Sequence, residues 1–197
     1  MEFPDWETLY KTQKVETMPW YNENLDSDLE EELYRWKITN GKFLDLGTGP
    51  ATQTIWLAKY GFQVIGSDLS EAAIKRARNV YANEKNINFI VDDILNSKLK
   101  ENEFDYIFDR GCFHVLLSAD RQRHITKIKQ ILKYNGMLFL KCFGDKESRQ
   151  EGPCKFSQQG IRGLFSKYFI INTIKETVYQ GTLDPLPKAL FVVMIRL

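Results

Sequence analysis

With 197 residues, 43% of them hydrophobic and 27% charged, the chain can bury one substantial core without disulfides or metals and has the make-up of a soluble globular protein. Its 27 basic and 26 acidic residues leave a formal net charge of +1, which gives no support for a nucleic-acid or polyanion partner. Apolar runs such as MLFL and ALFVVMI are far too short to span a bilayer.

Cys112, Cys142 and Cys154 are scattered and odd in number, which argues for a reducing compartment over a disulfide framework. The opening MEFPDWETLY is acidic and lacks a basic-then-apolar leader pattern, so a cytoplasmic location is expected. No repeat, low-complexity tract or long Gly/Ser linker divides the chain. One domain over residues 1–197 is expected, with a helical N-terminal segment (1–40) and an α/β core (41–197).

In chain order, Trp6, Leu9 and Tyr10 form a short helical face, and Leu29, Leu33 and Trp36 recur at helical spacing. Pro19, in TMPWYNEN, separates the two. KFLDL then reads as a buried strand, ATQTIWLAKY as a helix ended by Gly61, and FQVIGSDL as a second strand. Ser70 is a plausible N-cap for the helix that packs through Ala73, Ala77 and Val80, with Ala73 where a capping box would place Glu. NINFIVDDI and FDYIFDR supply two more strands, and Ser118–Lys133 a helix with Ile125, Ile128 and Leu132 on one face. Tyr134-Asn135-Gly136 is expected to turn the chain into the strand MLFLKCF, and Ser157 to cap a helix through QQGIRGLFSKY. FIINTIKETVYQ and KALFVVMIRL follow with only a short turn between them, too short for a parallel crossover, so they are expected to be antiparallel. The pattern predicts a seven-stranded, mostly parallel, doubly wound α/β sheet with helices on both faces.

The stretch KFLDLGTGPATQT carries the strand-glycine-helix outline of an adenosine-cofactor site. A dinucleotide fingerprint wants a third glycine, but Thr52 stands there. Asp45, two residues before Gly47, would repel a pyrophosphate yet attract an ammonium group, directly or through water. Asp68, about twenty residues past the glycines, stands where a carboxylate takes ribose hydroxyls. Adenosine, an amino-acid tail and no phosphate describe S-adenosylmethionine. An NAD-linked oxidoreductase is the rival enzyme reading, and a catalytically inactive S-adenosylmethionine-binding module the non-enzymatic one.

The runs LDLGTGPATQT, VIGSDLS, NINFIVDDI and FDYIFDRGCFHVL resemble the class I, Rossmann-like S-adenosylmethionine-dependent methyltransferases, and the resemblance reaches from about Lys42 to the end. It implies that Asp45, Gly47, Thr48 and Gly49 hold the methionine part of the cofactor, and that Asp68 binds the ribose with Leu69 on the adenine side. It also implies that Asp93 meets the adenine amino group, with Ile94 behind it and Asp92 as the rival acid. Asp109, Arg110 and Gly111 fall beside the methyl-donating end. Pro50-Ala51 departs from the glycine that many members carry.

W-x-x-x-Y followed by MPW resembles the entry segment of small-molecule thiol, thiopurine and tellurite methyltransferases, which implies an aromatic lid of Trp6, Tyr10, Pro19 and Trp20. A small-molecule methyl acceptor is the partner expected, with no obligatory protein partner. The polar stretch Cys142–Gly160 is placed as a substrate loop would be. His114 is the candidate base or acceptor-orienting group, tuned by Asp109. Cys112, His114, Cys142 and His124 match no common zinc-ligand spacing, so no metal is expected.

Overall fold

Six helices and eight strands follow one another through residues 5–197, the part of the chain that the computed structural model describes. The helices are α1 (Trp6–Thr12), α2 (Ser27–Arg35), α3 (Thr52–Lys59), α4 (Glu71–Val80), α5 (Arg121–Ile131) and α6 (Gln158–Phe165). The strands are β1 (Lys42–Leu46), β2 (Gln63–Asp68), β3 (Ile87–Val91), β4 (Phe104–Arg110), β5 (Leu132–Gly144), β6 (Lys155–Phe156), β7 (Phe169–Val178) and β8 (Lys188–Arg196). The first four residues of the expected N-terminal segment lie outside the described residues.

The main path of the sheet runs β3-β2-β1-β4-β5-β8-β7. β1 to β5 pair in parallel, whereas β8 runs antiparallel to both β5 and β7, as the short final connection requires. The sequence pattern omits β6, a two-residue strand paired with the end of β5, because two residues carry no periodicity. The turn expected at Tyr134–Gly136 is also corrected. β5 continues through it, with Asn135 at φ 59° and the pairing to β4 shifted between Phe104 and Tyr106, so the turn residues make a bulge.

Both faces of the sheet are apolar because successive side chains point opposite ways. Phe43, Phe108, Phe139 and Val193 pack under α2 and α3, while Leu44, Ile107, Leu138 and Val192 pack under α5 and α6. Ser70 and Ser157 cap α4 and α6 as expected, their hydroxyls accepting from Ala73 N (3.1 Å) and Gly160 N (3.0 Å). The strand order reverses between β1 and β4, and such a switch point opens a crevice at the carboxyl ends of the strands.

Candidate active site

Four strands deliver their last residues to this crevice. Register pairs Leu46 of β1 with Ser67 of β2 and with Asp109 of β4, and Asp68 of β2 with Val91 of β3. Asp45, Asp68, Asp92, Asp93 and Asp109 therefore converge, although they are spread over 65 positions of sequence.

The glycine loop folds over Asp45. This carboxylate is buried, and its Oδ2 accepts from the hydroxyls of Thr48 and Thr54, each at 2.7 Å. It thus ties the loop to the first turn of α3, and burial pushes its carboxyl up. Gly47 and Gly49 take φ 69° and 47°, the left-handed region that favours glycine. The third glycine of a dinucleotide loop exists for close helix-strand packing, and here the other partner supplies it. A Cβ on Gly66 of β2 would lie 2.8 Å from Thr54 Oγ1 of α3 and from the Phe89 ring. A lone glycine inside a strand was the signal for this close approach.

Asp68 binds the loop from the next strand. Its Oδ2 accepts from Gly49 N at 2.8 Å and its Oδ1 from Ser70 N at 2.9 Å. Burial, with Asp45 adding its charge, pushes Asp68 up to about 6. Two buried acids beneath this loop oppose the electropositive seat a pyrophosphate needs. They suit an adenosine ligand with an ammonium-bearing tail. Leu69 next door is exposed, whereas Ile94 belongs to the core.

At the end of β3 the two acids differ. Asp93 holds the following turn, its Oδ1 accepting from Leu95 N (3.0 Å) and its Oδ2 from Asn96 Nδ2 (2.6 Å). Its charge reaches the Cys112 thiol, on the crevice side. Asp92 Oδ2 is buried without a hydrogen-bond partner.

At the end of β4, Asp109 and Arg110 point to opposite faces. Asp109 Oδ1 accepts from Cys112 N (2.9 Å) and Phe113 N (3.1 Å), so it shapes the turn that carries Gly111 and His114. Its Oδ2 lies 3.0 Å from His124 Nε2, with Cys112 nearby. Arg110 turns the other way, to Asp26 Oδ2 (2.9 Å) and to the carbonyls of Trp20 (3.0 Å) and Gln180. Lys141 of β5, fully buried, donates to both oxygens of Asp26 (2.8 Å each) and to Asp28 Oδ2 (2.7 Å). Burial alone would raise the Asp28 carboxyl, but Lys141 beside it wins and holds it below the usual range. Sequence reasoning missed this network, although a lone lysine inside the apolar run MLFLKCF was a readable sign of a buried partner.

His114 is buried, and its Nδ1 accepts from Phe143 N at 3.1 Å. Burial pushes its pKa down to about 4 against the opposing pull of Asp109, so the ring is neutral at pH 7. With Nδ1 accepting, the proton of the neutral ring belongs on Nε2, which faces Gly111. His114 also stacks on Tyr179, ring centroids 5.5 Å apart.

From the N-terminal segment, Tyr10 reaches the glycine loop and Trp20 and Trp6 pack behind it. Tyr10 is packed against Gly49, where a Cβ would come within 2.3 Å of the Tyr10 hydroxyl. Trp20 Nε1 donates to that hydroxyl (3.3 Å), and Trp6 meets Trp20 edge-on at 5.6 Å. Pro19 is exposed, and its carbonyl accepts from Thr182 N at 3.1 Å. No helix among the described residues is long and apolar enough to cross a membrane.

Comparison with known proteins agrees with this geometry. A methyltransferase domain model matches residues 43–136. An uncharacterised methyltransferase of Schizosaccharomyces pombe is 34% identical over 103 residues, 52% of this chain and 71% of that protein. EEF1A lysine methyltransferase 2 of Danio rerio is 33% identical over 122 residues, 57% of this chain and 52% of its own length. A 2-heptyl-1-hydroxyquinolin-4(1H)-one methyltransferase of Mycobacteroides abscessus is 29% identical over 141 residues, 68% of this chain and 61% of its own. A solved structure concerned with conversion of a disulfide bond into a thioacetal group during echinomycin biosynthesis superposes with a TM-score of 0.82 at 20% identity, covering 97% of this chain and 91% of that one. The chain belongs to the class I S-adenosylmethionine-dependent methyltransferases, and S-adenosylmethionine is its cofactor.

Proposed function

We propose that the chain methylates a small-molecule acceptor. The observation that carries this reading is the docked N-terminal segment. Tyr10 lies on the glycine loop, and Trp20 packs against Phe143 and Tyr179 beyond the end of β4. An aromatic cover over the donor loop suits a narrow, flat acceptor better than a folded protein surface. The Mycobacteroides relative, named for a hydroxyquinolone acceptor, supports the same class.

When bound, the cofactor supplies a methyl group on a sulfonium, open to in-line displacement by the acceptor. In this reading Gly47, Thr48 and Gly49 hold the amino-acid end over the buried charge of Asp45. Asp68 takes the ribose hydroxyls, and Leu69 and Ile94 flank the adenine. Asp93 accepts from the adenine amino group, using lone pairs left after its two turn contacts. The Arg110–Gly111 backbone borders the methyl-donating end, and Trp6, Tyr10 and Trp20 align the acceptor and exclude water. His114, neutral and already accepting at Nδ1, orients an acceptor by donating from Nε2, and Asp109 positions the turn that presents it. A thiolate or amine acceptor needs no strong base.

The adenine assignment has its own check. Asp93→Asn is expected to weaken S-adenosylhomocysteine binding about tenfold, the scale of one charge-assisted hydrogen bond, and Asp92→Asn to leave it within about twofold. The reverse order in calorimetric titration would move the contact to Asp92.

A second reading, a protein lysine acceptor, draws on the Danio rerio relative, about half of whose length is matched. Incubation with methyl-labelled cofactor and a panel of small thiols, amines, phenols and carboxylates, beside purified elongation factor 1A, tests the two. Turnover of a panel member supports the first, and label on the factor alone supports the second.

A further inference from the structure

Helix α1 has seven residues and buries none of them fully, so its position depends on a few specific contacts. Two of these end on the walls of the cofactor crevice. Glu7 Oε2 accepts from Ser70 Oγ at 2.7 Å and from Ala72 N at 3.0 Å. Three residues on, and hence on the same helical face, Tyr10 fills the space above Gly49. The contacts between them close a ring. Glu7 holds Ser70, Ser70 N donates to Asp68 (2.9 Å), Asp68 accepts from Gly49 N (2.8 Å), and Gly49 lies under Tyr10, back on α1.

The Ser70 hydroxyl has two duties in this ring. It accepts from Ala73 N as the cap of α4 and donates its own proton to Glu7. The sequence lacks the glutamate that a capping box would place at Ala73, and Glu7 supplies a carboxylate at that helix start from a different element. The positive end of α4, a ten-residue helix, favours an acid there. Lys11, 3.0 Å from Glu7 Oε1, steadies the other oxygen.

We propose that Glu7 is a positioning residue for the methyl donor: it latches α1 onto the start of α4, so that closure of the cover and orientation of the ribose-facing Asp68 are one event. The inference rests on the donor site assigned above. Nothing in it requires Glu7 to touch the cofactor. Its loss should therefore act through the placement of Tyr10 and Asp68, raising the requirement for donor while sparing the chemistry that follows.

The test compares the full chain with its Glu7→Ala and Glu7→Gln variants. Affinity for S-adenosylhomocysteine is measured by calorimetry and amide exchange over α1 by mass spectrometry. KM for the donor and kcat follow with whichever acceptor supports turnover. Glu7→Ala is expected to weaken binding about tenfold, to speed exchange through α1, and to raise donor KM with kcat changed by less than about twofold. Glu7→Gln, which keeps an acceptor for Ala72 N, should recover part of the affinity. Unchanged affinity and unchanged exchange in Glu7→Ala would overturn the latch alone, and so would equal losses in both variants with a fall in kcat. Failure of the unaltered chain to bind the ligand would instead remove the donor site, and the latch with it.

Discussion

Asp68→Ala is expected to lower the affinity for S-adenosylhomocysteine by on the order of 100-fold or more. Hydrogen bonds to a charged group contribute about 1.5–3 kcal/mol each, and the proposed contact has two ribose hydroxyls on one carboxylate. The substitution also removes the acceptor for Gly49 N and Ser70 N, so the free loop loses its own anchor. Asp68→Asn retains acceptor capacity without the charge and should fall between the two. Because burial pushes the Asp68 carboxyl up to about 6, binding should weaken as pH falls through that value. The same shift has a definite sign for folding. The folded chain holds this proton more tightly than the unfolded chain, so Asp68 contributes stability below its ordinary carboxylate range and loses that contribution as pH rises through about 6. Ligand titrations of the wild-type chain and both variants between about pH 5 and pH 8 would check the affinities, and thermal unfolding from the ordinary carboxylate range up through about pH 6 the stability. Equal affinity in Asp68→Ala would refute the ribose assignment.

The second large effect falls on stability. Lys141→Ala is expected to destabilise the fold by about 3 kcal/mol, the low end for breaking a buried ion pair, because Arg110 still reaches Asp26. That corresponds to a loss of roughly 6–12 °C in Tm for a chain of this size. The cause is the buried group left behind. Asp26 would lose two bonds of 2.8 Å and Asp28 one of 2.7 Å, both carboxylates being buried. The consequence reaches the site, since Asp26 caps α2 and Arg110 holds the Trp20 carbonyl. Thermal unfolding of Lys141→Ala beside Lys175→Ala separates burial from charge. Lys175 also meets Asp28, at 3.1 Å, but is 42% exposed and should cost well under 1 kcal/mol.

Much of the fold was legible because its signals are local and repeated. Apolar alternation marked the long strands, the serine caps marked α4 and α6, and the brief link before β8 dictated its direction. What escaped was either too short to carry a period, like β6, or depended on tertiary context. Tyr134-Asn135-Gly136 has turn chemistry, and pairing of Leu132 and Met137, on either side of it, with Phe104 and Tyr106 of β4 makes it a bulge instead. The acids gathered at the crevice were named from their places at strand ends and from the family resemblance. Their partners were not, because a hydrogen bond between Glu7 and Ser70 spans 63 positions and leaves no mark on either residue's neighbours. Arg110 illustrates the same limit. Its place at the end of β4 was readable, whereas the direction of its side chain, toward Asp26, follows from strand alternation against elements distant in sequence.

The reading of a small-molecule acceptor is met most directly by following the methyl group itself. The chain is incubated with methyl-labelled S-adenosylmethionine in an undialysed cell extract, and label is partitioned between the low-mass and protein fractions. The account predicts label in the low-mass fraction, dependent on the chain and lost with Asp68→Ala. Label confined to lysine side chains of the protein fraction would contradict it.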